Sequence, residues 1–422
     1  ILRDRFGLDA LFPLQREVIQ QVIGGRDALV VAPTGSGKSL CYQLPALALP
    51  GPGFALVFSP LIALMEDQVS SLRARGIRAQ YVNSTLPRKE REKRYARAAE
   101  GAYEILYVTP ERMNKPEFDA VVRARPGATP PVKLLAVDEA HCISKWGHDL
   151  RPAYREVGRF REVLGRPVTI ALTATATPAV REDIRAILGD SPSSMPLFAD
   201  LGERENLDLR VEDVWDDDEK AKRIQEVADR LPGTGIVYFT LIKDLERMAS
   251  RLRNELPGRR VDIYHGQLDA RDKKRVYDRF TAAGPEEGLL LLATNAFGMG
   301  VDKPDIRFIV HAQVPGSIEA YYQEVGRAGR DGLPSECILL YAQDDLAIQQ
   351  EFVDWMNPPP ELLRRAVDAM AASPHADFDV EELNGELFGR KRVDPRLAYT
   401  LIALEHLDVV QPTPIRDRFR LA

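Results

Sequence analysis

Short apolar runs alternate with amphipathic stretches along most of the chain, and this alternation predicts strands separated by helices. Five runs in the first half have the apolar, β-branched character of buried strands; they are residues 27–32, 54–60, 105–110, 133–138 and 169–177. Strands that alternate with helices build parallel sheets covered on both faces. The first half, residues 1–200, is therefore predicted to be an α/β domain.

The same alternation restarts after a break. Residues 192–218 show little periodicity and contain prolines and a glycine, which places a domain boundary near residue 200. Beyond it the pattern predicts helices at 219–231, 243–255 and 270–281 and strands at 235–240, 261–265 and 289–293. A second parallel sheet is therefore predicted for residues 201–343.

The end of the chain has a different character. Residues 344–360 are predicted to connect the second sheet to a last domain. Residues 361–422 are predicted to form this domain from three short amphipathic helices followed by a β-hairpin. Three helices and a hairpin are typical of a winged helix, and this basic tail offers Arg392 and Arg418 as contacts to duplex DNA. The alternative is a helical module that docks another protein.

The first strand leads into Ala32–Ser39, which has the sequence A-P-T-G-S-G-K-S. A strand, a glycine loop ending in Gly-Lys-Ser and a helix are the context of a phosphate-binding loop. Lys38 can reach the β- and γ-phosphates, and the Ser39 hydroxyl can bind Mg²⁺. The predicted nucleotide-binding residues here are Thr34, Gly35, Ser36, Gly37, Lys38 and Ser39. The alternative is a chance glycine-rich turn.

A second acidic element completes this chemistry about 100 residues later. The strand 133–138 ends in Asp138 and Glu139, where an aspartate can hold Mg²⁺ and a glutamate can deprotonate the attacking water. His141 follows, either as a core histidine or as a link from the nucleotide to the neighbouring domain. Gln15, upstream of the glycine loop, can pair with adenine or face solvent on its helix.

The second half carries Q-E-V-G-R-A-G-R-D at residues 323–331. Arg327 and Arg330 are three residues apart, so both can face an interdomain cleft from one side of a helical turn. A guanidinium group is suited to the transition-state charge on a γ-phosphate. The alternative is a surface loop rich in glycine and arginine.

Several polar residues lie where a nucleic acid could bind. Ser59 and Thr109 follow predicted strands, and ligands collect at the carboxyl ends of strands in open α/β sheets. Trp146 can stack on a base and Arg151 can neutralise a phosphate, the combination that holds single strands, although Trp146 can also pack under its loop. Two strand-end hydroxyls could bridge the acidic pair to the bound strand; they belong to Thr173 and Thr175.

Composition adds few constraints. The chain has 422 residues, enough for two or three domains, is 45% hydrophobic and has no apolar run long enough to span a bilayer. Its net charge of −6 does not indicate a nucleic-acid binder, but phosphate contacts need only a local basic track. Three scattered cysteines favour a reducing cytoplasm, and Ile1 in place of Met indicates a fragment.

Together these motifs resemble the RecQ family of DNA helicases, in helicase superfamily two, over roughly residues 6–341. The segments that carry the resemblance are F-G-L-D-A-L-F-P-L-Q (6–15), A-P-T-G-S-G-K-S (32–39), S-P-L-I-A-L-M-E-D-Q-V (59–69), V-D-E-A-H-C-I-S-K-W-G-H-D-L-R-P (137–152), L-T-A-T-A-T (172–177), Y-H-G-Q-L (264–268), A-T-N-A-F-G-M-G-V-D-K-P-D-I-R (293–307) and Q-E-V-G-R-A-G-R-D-G (323–332).

The resemblance implies two tandem RecA-like motor domains before the winged-helix-like domain, with ATP and Mg²⁺ as cofactors. It implies 3′-to-5′ translocation and unwinding of DNA in repair and recombination, on single-stranded and 3′-tailed or forked substrates, in a bacterial cytoplasm or nucleoid with other repair proteins. It assigns adenine recognition to Gln15 and nucleotide contact to Asp302. It assigns sensing of single strands to Trp146, His148 and Arg151, and completion of the catalytic site to Gln323, Arg327 and Arg330.

The chain departs from the family in three places. Leu8 and Phe12 replace an aromatic residue and an arginine around the adenine, and Leu150 replaces a phenylalanine of the sensing loop. Cys337 is the last cysteine, so the family's four-cysteine zinc module is predicted to be absent and no zinc is expected. Two other functions remain open: a duplex translocase that does not separate strands, and a non-enzymatic DNA-binding scaffold with a relic nucleotide site.

Overall fold

Seven short strands of the first half form one parallel sheet in the computed structural model. Their order across the sheet is β3-β4-β2-β5-β6-β1-β7. The strands are β1 (Ala28–Val31), β2 (Phe54–Phe58), β3 (Ala79–Val82), β4 (Ile105–Val108), β5 (Val132–Val137), β6 (Val168–Thr173) and β7 (Leu197–Ala199). Every residue of β1, β2 and β4 is buried, because helices cover both faces of the sheet.

The structure describes residues 1–60, 62–113, 115, 118, 132–144, 152–189, 191, 194–200, 204–298, 301, 303–373, 377–389, 393–413 and 418–422. The helices of the first half are α1 (Leu2–Phe6), α2 (Pro13–Ile23), α3 (Leu40–Ala48), α4 (Ile62–Ala74), α5 (Arg88–Ala99), α6 (Pro152–Arg155), α7 (Val157–Val163) and α8 (Pro178–Leu188), with 3₁₀ turns at Pro110–Arg112 and Ala140–Ile143.

The parallel arrangement brings all the strand ends to one edge of the sheet. From β4 to β1, the residues at or just beyond the carboxyl ends are, in order, Thr109, Ser59, Asp138, Thr173 and Ala32. Positions far apart in sequence thus form one continuous row, and the glycine loop begins at one end of it. This row positions the candidate site.

A second sheet has the order β10-β11-β9-β12-β13-β8. Its strands are β8 (Leu207–Asp213), β9 (Thr234–Tyr238), β10 (Arg260–Tyr264), β11 (Leu289–Ala293), β12 (Ile306–His311) and β13 (Ser335–Tyr341). The helices around it are α9 (Asp217–Arg230), α10 (Ile242–Glu255), α11 (Ala270–Ala282) and α12 (Ile318–Val325), with a 3₁₀ turn at Pro285–Glu287. Strands β9 to β13 pair in parallel with their neighbours.

The two sheets belong to one compact unit, which comprises Ile1–Glu212 and Asp216–Leu340. Hydrogen bonds between described residues join the two halves directly. The Tyr277 hydroxyl of α11 donates to a carboxylate oxygen of Asp67 on α4 at 2.7 Å, and Gln323 Nε2 donates to Thr175 Oγ1 at 3.3 Å.

A second unit comprises Asp213–Trp215 and Tyr341–Ala422. Its elements are α13 (Asp345–Met356), α14 (Pro360–Ala372), β14 (Phe378–Asp379), α15 (Val380–Phe388), α16 (Pro395–His406), β15 (Val410–Pro412) and β16 (Arg418–Leu421). The strands form an antiparallel sheet of order β14-β16-β15. Helix, strand, two helices and a closing hairpin are the chain order of a winged helix, and α13 packs on α16.

The predicted fold class is confirmed: two parallel sheets with helices around them precede a small domain with an antiparallel sheet. The interpretation of residues 192–218 as a region with little periodicity is wrong, because β7 and β8 lie there. In β8, Leu207, Leu209 and Val211 alternate with charged residues, which is the period of a strand. No helix in the described ranges is long and apolar enough to cross a membrane.

Candidate active site

The glycine loop connects the buried strand β1 to α3 through two left-handed residues. Gly35 has φ of +83° and Gly37 has φ of +73°, a region that residues with a side chain enter only at a cost. These two conformations turn the chain so that the loop curls back over the end of β1. The loop is therefore shaped by the glycines themselves, as the motif predicts.

Lys38 points back into this loop. Its ammonium group donates to the carbonyl oxygens of Ala32 and Pro33 at 2.7 and 2.8 Å. Burial lowers the pKa of Lys38, while the carboxylates of Glu139 and Asp138 act in the opposite direction. A cation next to two carboxylates at the sheet edge is the arrangement that binding of a phosphate and a metal ion requires.

Gln15 lies against the glycine loop and is only 6% exposed. Its Oε1 accepts from the backbone N–H of Phe12 at 3.1 Å, and its Nε2 donates to the carbonyl oxygens of Ser36 and Gly37 at 3.1 and 3.3 Å. The alternative of a solvent-facing helix residue is therefore wrong. Recognition of adenine by Gln15 stays a prediction.

Asp138 and Glu139 follow β5 directly. The Asp138 N–H donates to the Phe58 carbonyl at 2.9 Å, and the Tyr154 hydroxyl donates to the Asp138 carbonyl at 3.0 Å. Burial, and then the charge of Glu139, raise the pKa of Asp138 to about 7. Glu139 itself has φ of +50°, an unusual conformation for a residue with a side chain. The backbone thus adopts a left-handed conformation at the second residue of the acidic pair.

A chain of polar contacts leads from this acidic pair to the second half. His141 Nδ1 lies 2.9 Å from Thr173 Oγ1 and 3.3 Å from a carboxylate oxygen of Glu139. The Thr173 hydroxyl donates its proton to the Thr175 carbonyl at 2.9 Å. Its oxygen can therefore only accept in the bond with His141, so that Nδ1 of His141 is the donor. Gln323 then donates to the Thr175 hydroxyl. His141 is buried, yet it belongs to this connection rather than to an apolar core.

The two predicted arginines have different surroundings. A Cβ atom placed on Gly35 would lie 3.4 Å from Cγ and Cδ of Arg330, so this side chain covers the glycine loop. Arg330 also donates to the Val301 carbonyl at 2.8 Å. Arg327 is 5% exposed and packs on Gly298, where a Cβ atom would lie 2.7 Å from its Nη2. Arg330 thus lies opposite the loop, and Arg327 is held within the second half.

Ser59 and Thr109 lie next to each other at the sheet edge, since the Ser59 N–H donates to the Val108 carbonyl at 3.2 Å. Both are buried, and the Ser59 hydroxyl has no hydrogen-bond partner among the described residues. A buried hydroxyl without a partner is costly unless a ligand pairs with it. Contact of these residues with a DNA phosphate stays a prediction.

Other predicted site residues lie outside the described residues; they are Trp146, His148, Arg151, Asp302 and Arg392. Arg418 is exposed on β16, 3.9 Å from the carboxylate of Asp379. Arg418 is therefore accessible to a ligand at the hairpin, although the nearby carboxylate of Asp379 offsets part of its positive charge.

A buried polar cluster near Arg327 was not predicted from the sequence. It consists of Tyr238, His311 and Glu324. The available signal was the position of Glu324 within the Q-E-V-G-R stretch, on the buried side of α12. Its partner His311 comes from another strand and could not be identified from local pattern.

The donor set fits a hard cation beside the glycine loop. A carboxyl group whose pKa is raised to about 7, as in Asp138, gains a favourable partner when Mg²⁺ replaces its proton, and Ser39 offers a hydroxyl oxygen at the end of the loop. In the part of the chain that the structure describes, no group of three or more His, Cys, Asp or Glu is arranged for a metal ion. The absence of zinc stays a prediction.

Two protein-family models match the chain. The model described as DEAD/DEAH box helicase matches residues 12–184, and the model described as helicase conserved C-terminal domain matches residues 219–332. The first match contains β1 to β6 of the first sheet, the second contains β9 to β12 of the second sheet, and each contains the predicted catalytic residues of its half.

Curated relatives extend over most of the chain. A probable ATP-dependent DNA helicase RecS of Bacillus subtilis is 38% identical over 88% of this chain and 72% of its own length. The ATP-dependent DNA helicase RecQ of the same organism is 43% identical over 84% of this chain, which spans 58% of that relative's length.

A solved structure shows the same fold. The helicase Lhr of Mycobacterium smegmatis, bound to single-stranded DNA and AMP-PNP, has a TM-score of 0.64 at 21% identity, over 99% of this chain and 59% of its own. With the relatives' identity over most of the chain, the motif order and the arginine placed over the glycine loop, this chain belongs to the RecQ family of ATP-dependent DNA helicases.

Proposed function

We propose that this chain couples ATP hydrolysis, stimulated by single-stranded DNA, to 3′-to-5′ translocation and to separation of duplex strands in DNA repair and recombination. The observation that carries the proposal is the contact of Arg330, from the second half, with Gly35 of the glycine loop in the first. A nucleotide bound by the loop would lie between the two halves, and closure of the halves around it followed by their release would supply the motion of a motor.

In this proposal the chain's own residues perform the hydrolysis. Lys38 leaves its loop carbonyls to pair with the β- and γ-phosphates, and Gln15 exchanges its loop contacts for the adenine edge. Glu139 accepts the proton of the attacking water. Asp138 and Ser39 would hold Mg²⁺, which supplies positive charge to the triphosphate.

Both arginines act from the second half. Arg330 reaches the γ-phosphate from its position over Gly35, and Arg327 adds a second guanidinium group. Such arginines contribute on the order of 10³–10⁵ in rate. Asp302 is proposed as a further nucleotide contact from the same half.

The polar contacts that lead from Glu139 to Gln323 would couple the binding of DNA to the hydrolysis of ATP. A single strand bound by Ser59, Thr109 and the residues from Trp146 to Arg151 would shift the residues that connect the two halves. This shift would change the position of the acidic pair, Asp138 and Glu139. His141, Thr173 and Thr175 lie on that connection. The winged-helix-like unit, with Arg392 and Arg418, is proposed to contact the duplex backbone. The proposed boundaries are residues 1–200 and 201–343 for the motor domains, 344–360 for the connection and 361–422 for this unit.

The test compares unwinding of 3′-tailed, 5′-tailed, forked and blunt duplexes in ATP and Mg²⁺, with phosphate release measured in parallel and Lys38→Ala as the inactive control. We expect 3′-tailed and forked duplexes to be separated and 5′-tailed ones to persist. Activation by blunt duplex without separation would favour a duplex translocase, and absence of phosphate release would favour a DNA-binding scaffold.

A further inference from the structure

A buried histidine–glutamate pair lies behind the first arginine of the second half. His311, the last residue of β12, is 1% exposed, and its Nε2 lies 2.9 Å from a carboxylate oxygen of Glu324. Glu324 is 7% exposed and belongs to α12, three residues before Arg327. The pair is therefore one helical turn away from a proposed catalytic group.

Two aromatic rings hold the imidazole of His311 in place. Its ring stacks on Tyr238 at 5.4 Å with an interplanar angle of 24°, and lies 4.9 Å from the ring of Tyr321. The Tyr238 hydroxyl donates to the Phe297 carbonyl at 3.0 Å, so this ring is fixed as well. With the plane of the imidazole fixed, the direction of its bond to Glu324 is fixed too.

Arg327 shares these surroundings. Its backbone N–H donates to the Glu324 carbonyl at 3.2 Å, and its guanidinium group packs on Gly298. Burial raises the pKa of Tyr238, and the opposing charges of Arg327 and Glu324 both act on the phenol. The arginine and the glutamate, three residues apart in sequence, are thus both close enough to this ring for their charges to act on its hydroxyl.

A buried carboxylate is a poor way to stabilise a domain, because removing it from water costs more than its pairing usually returns. A role in orienting a neighbouring side chain explains the presence of the buried Glu324 carboxylate better. We propose that Glu324, held by His311, is a positioning residue that fixes the guanidinium group of Arg327 for the γ-phosphate. The inference rests on the proposed function, since it takes Arg327 to be part of the hydrolytic site.

The experiment is a double-mutant cycle of Glu324→Gln with Arg327→Ala in the full chain. Glutamine keeps the shape and an acceptor for His311 but removes the charge. We expect Glu324→Gln to lower the DNA-stimulated kcat roughly 10- to 100-fold, as loss of alignment does, with AMP-PNP affinity and Tm little changed. In the Arg327→Ala background the same change should have no further effect, because residues that act as a unit are not additive.

Glu336→Gln is the matched control. Glu336 is a paired carboxylate of the same domain, bonded to Arg230 at 2.8 Å at the start of β13, and its loss should leave kcat unchanged. His311→Gln, which keeps an N–H donor, should retain more activity than His311→Ala. Additive effects in the cycle, or an unchanged kcat in Glu324→Gln, would overturn the positioning role alone. A normal kcat in Arg327→Ala would overturn the assignment of the arginine and the inference with it.

Discussion

Asp138 shows how much the surroundings of a single residue change its chemistry. An aspartate in an unfolded chain has a pKa near 3.8, whereas burial and the neighbouring Glu139 raise it to about 7 in the fold. Between about pH 4 and pH 7 the folded chain therefore holds a proton that the unfolded chain has released. The stability that this proton contributes is complete at acidic pH and is lost as the pH rises through about 7.

Asp138→Asn should remove this dependence, because an amide does not titrate. In EDTA, the Tm of the wild type should fall relative to that of the variant as the pH is raised from 5 to 8. The underlying free energy of unfolding should change by up to about 1.4 kcal/mol for each pH unit. Thermal unfolding of both proteins at matched ionic strength checks this, and parallel Tm curves would contradict the raised pKa.

At the scale of elements, the glycine loop and α2 depend on each other. Gln15 of α2 donates to two loop carbonyls, and this contact is possible only because Gly37 has no side chain: a Cβ atom there would lie 2.6 Å from Gln15 Nε2. The glycine thus serves both the left-handed turn of the loop and the approach of a neighbouring helix.

Gly37→Ala should weaken ATP binding strongly, since it displaces Gln15 as well as straining the loop. Gly25→Ala is the matched control: Gly25 also has a positive φ, +76°, but a Cβ atom there meets nothing within 4 Å. Both changes carry about 1–2 kcal/mol of backbone strain. Titration of a labelled ATP analogue should therefore separate them, and equal losses of affinity would show that strain alone matters.

At the scale of the whole motor unit, the side-chain hydrogen bonds of Gln323 and Tyr277 that bridge the halves in the described part of the chain differ in what they connect. The bond from Gln323 to Thr175 continues through Thr173 to the acidic pair, whereas the bond from Tyr277 to Asp67 joins two surface helices. Of these two bonds, the first belongs to the connection that we propose to couple DNA binding to ATP hydrolysis.

Thr175→Val should therefore lower the stimulation of ATP hydrolysis by single-stranded DNA by roughly tenfold, a typical size for one coupling interaction, while the rate without DNA changes little. Tyr277→Phe removes a bridging hydroxyl elsewhere and should leave the stimulation within about twofold. Phosphate release with and without oligonucleotide measures both. Loss of stimulation in both variants would indicate general loosening of the halves instead.

The local patterns of the sequence were sufficient to predict most of the strands and helices and the turn of the glycine loop. Apolar runs, glycines and the Gly-Lys-Ser ending are contiguous, and their conformations follow from neighbours in the chain. The edge strands β7 and β8 were not predicted, because β7 is three residues long and β8 is largely exposed. Neither strand therefore forms an apolar run.

Contacts between distant segments had to come from the tertiary structure. The sequence by itself predicted that Arg327 and Arg330 lie on one side of a helical turn at an interdomain cleft, because their spacing is local. That Arg330 covers Gly35 while Arg327 packs on Gly298 follows from which strand ends are neighbours across two sheets. The pairing of Glu324 with His311 has the same origin: hydrophobic periodicity records which face of an element is buried, but not which other element covers that face.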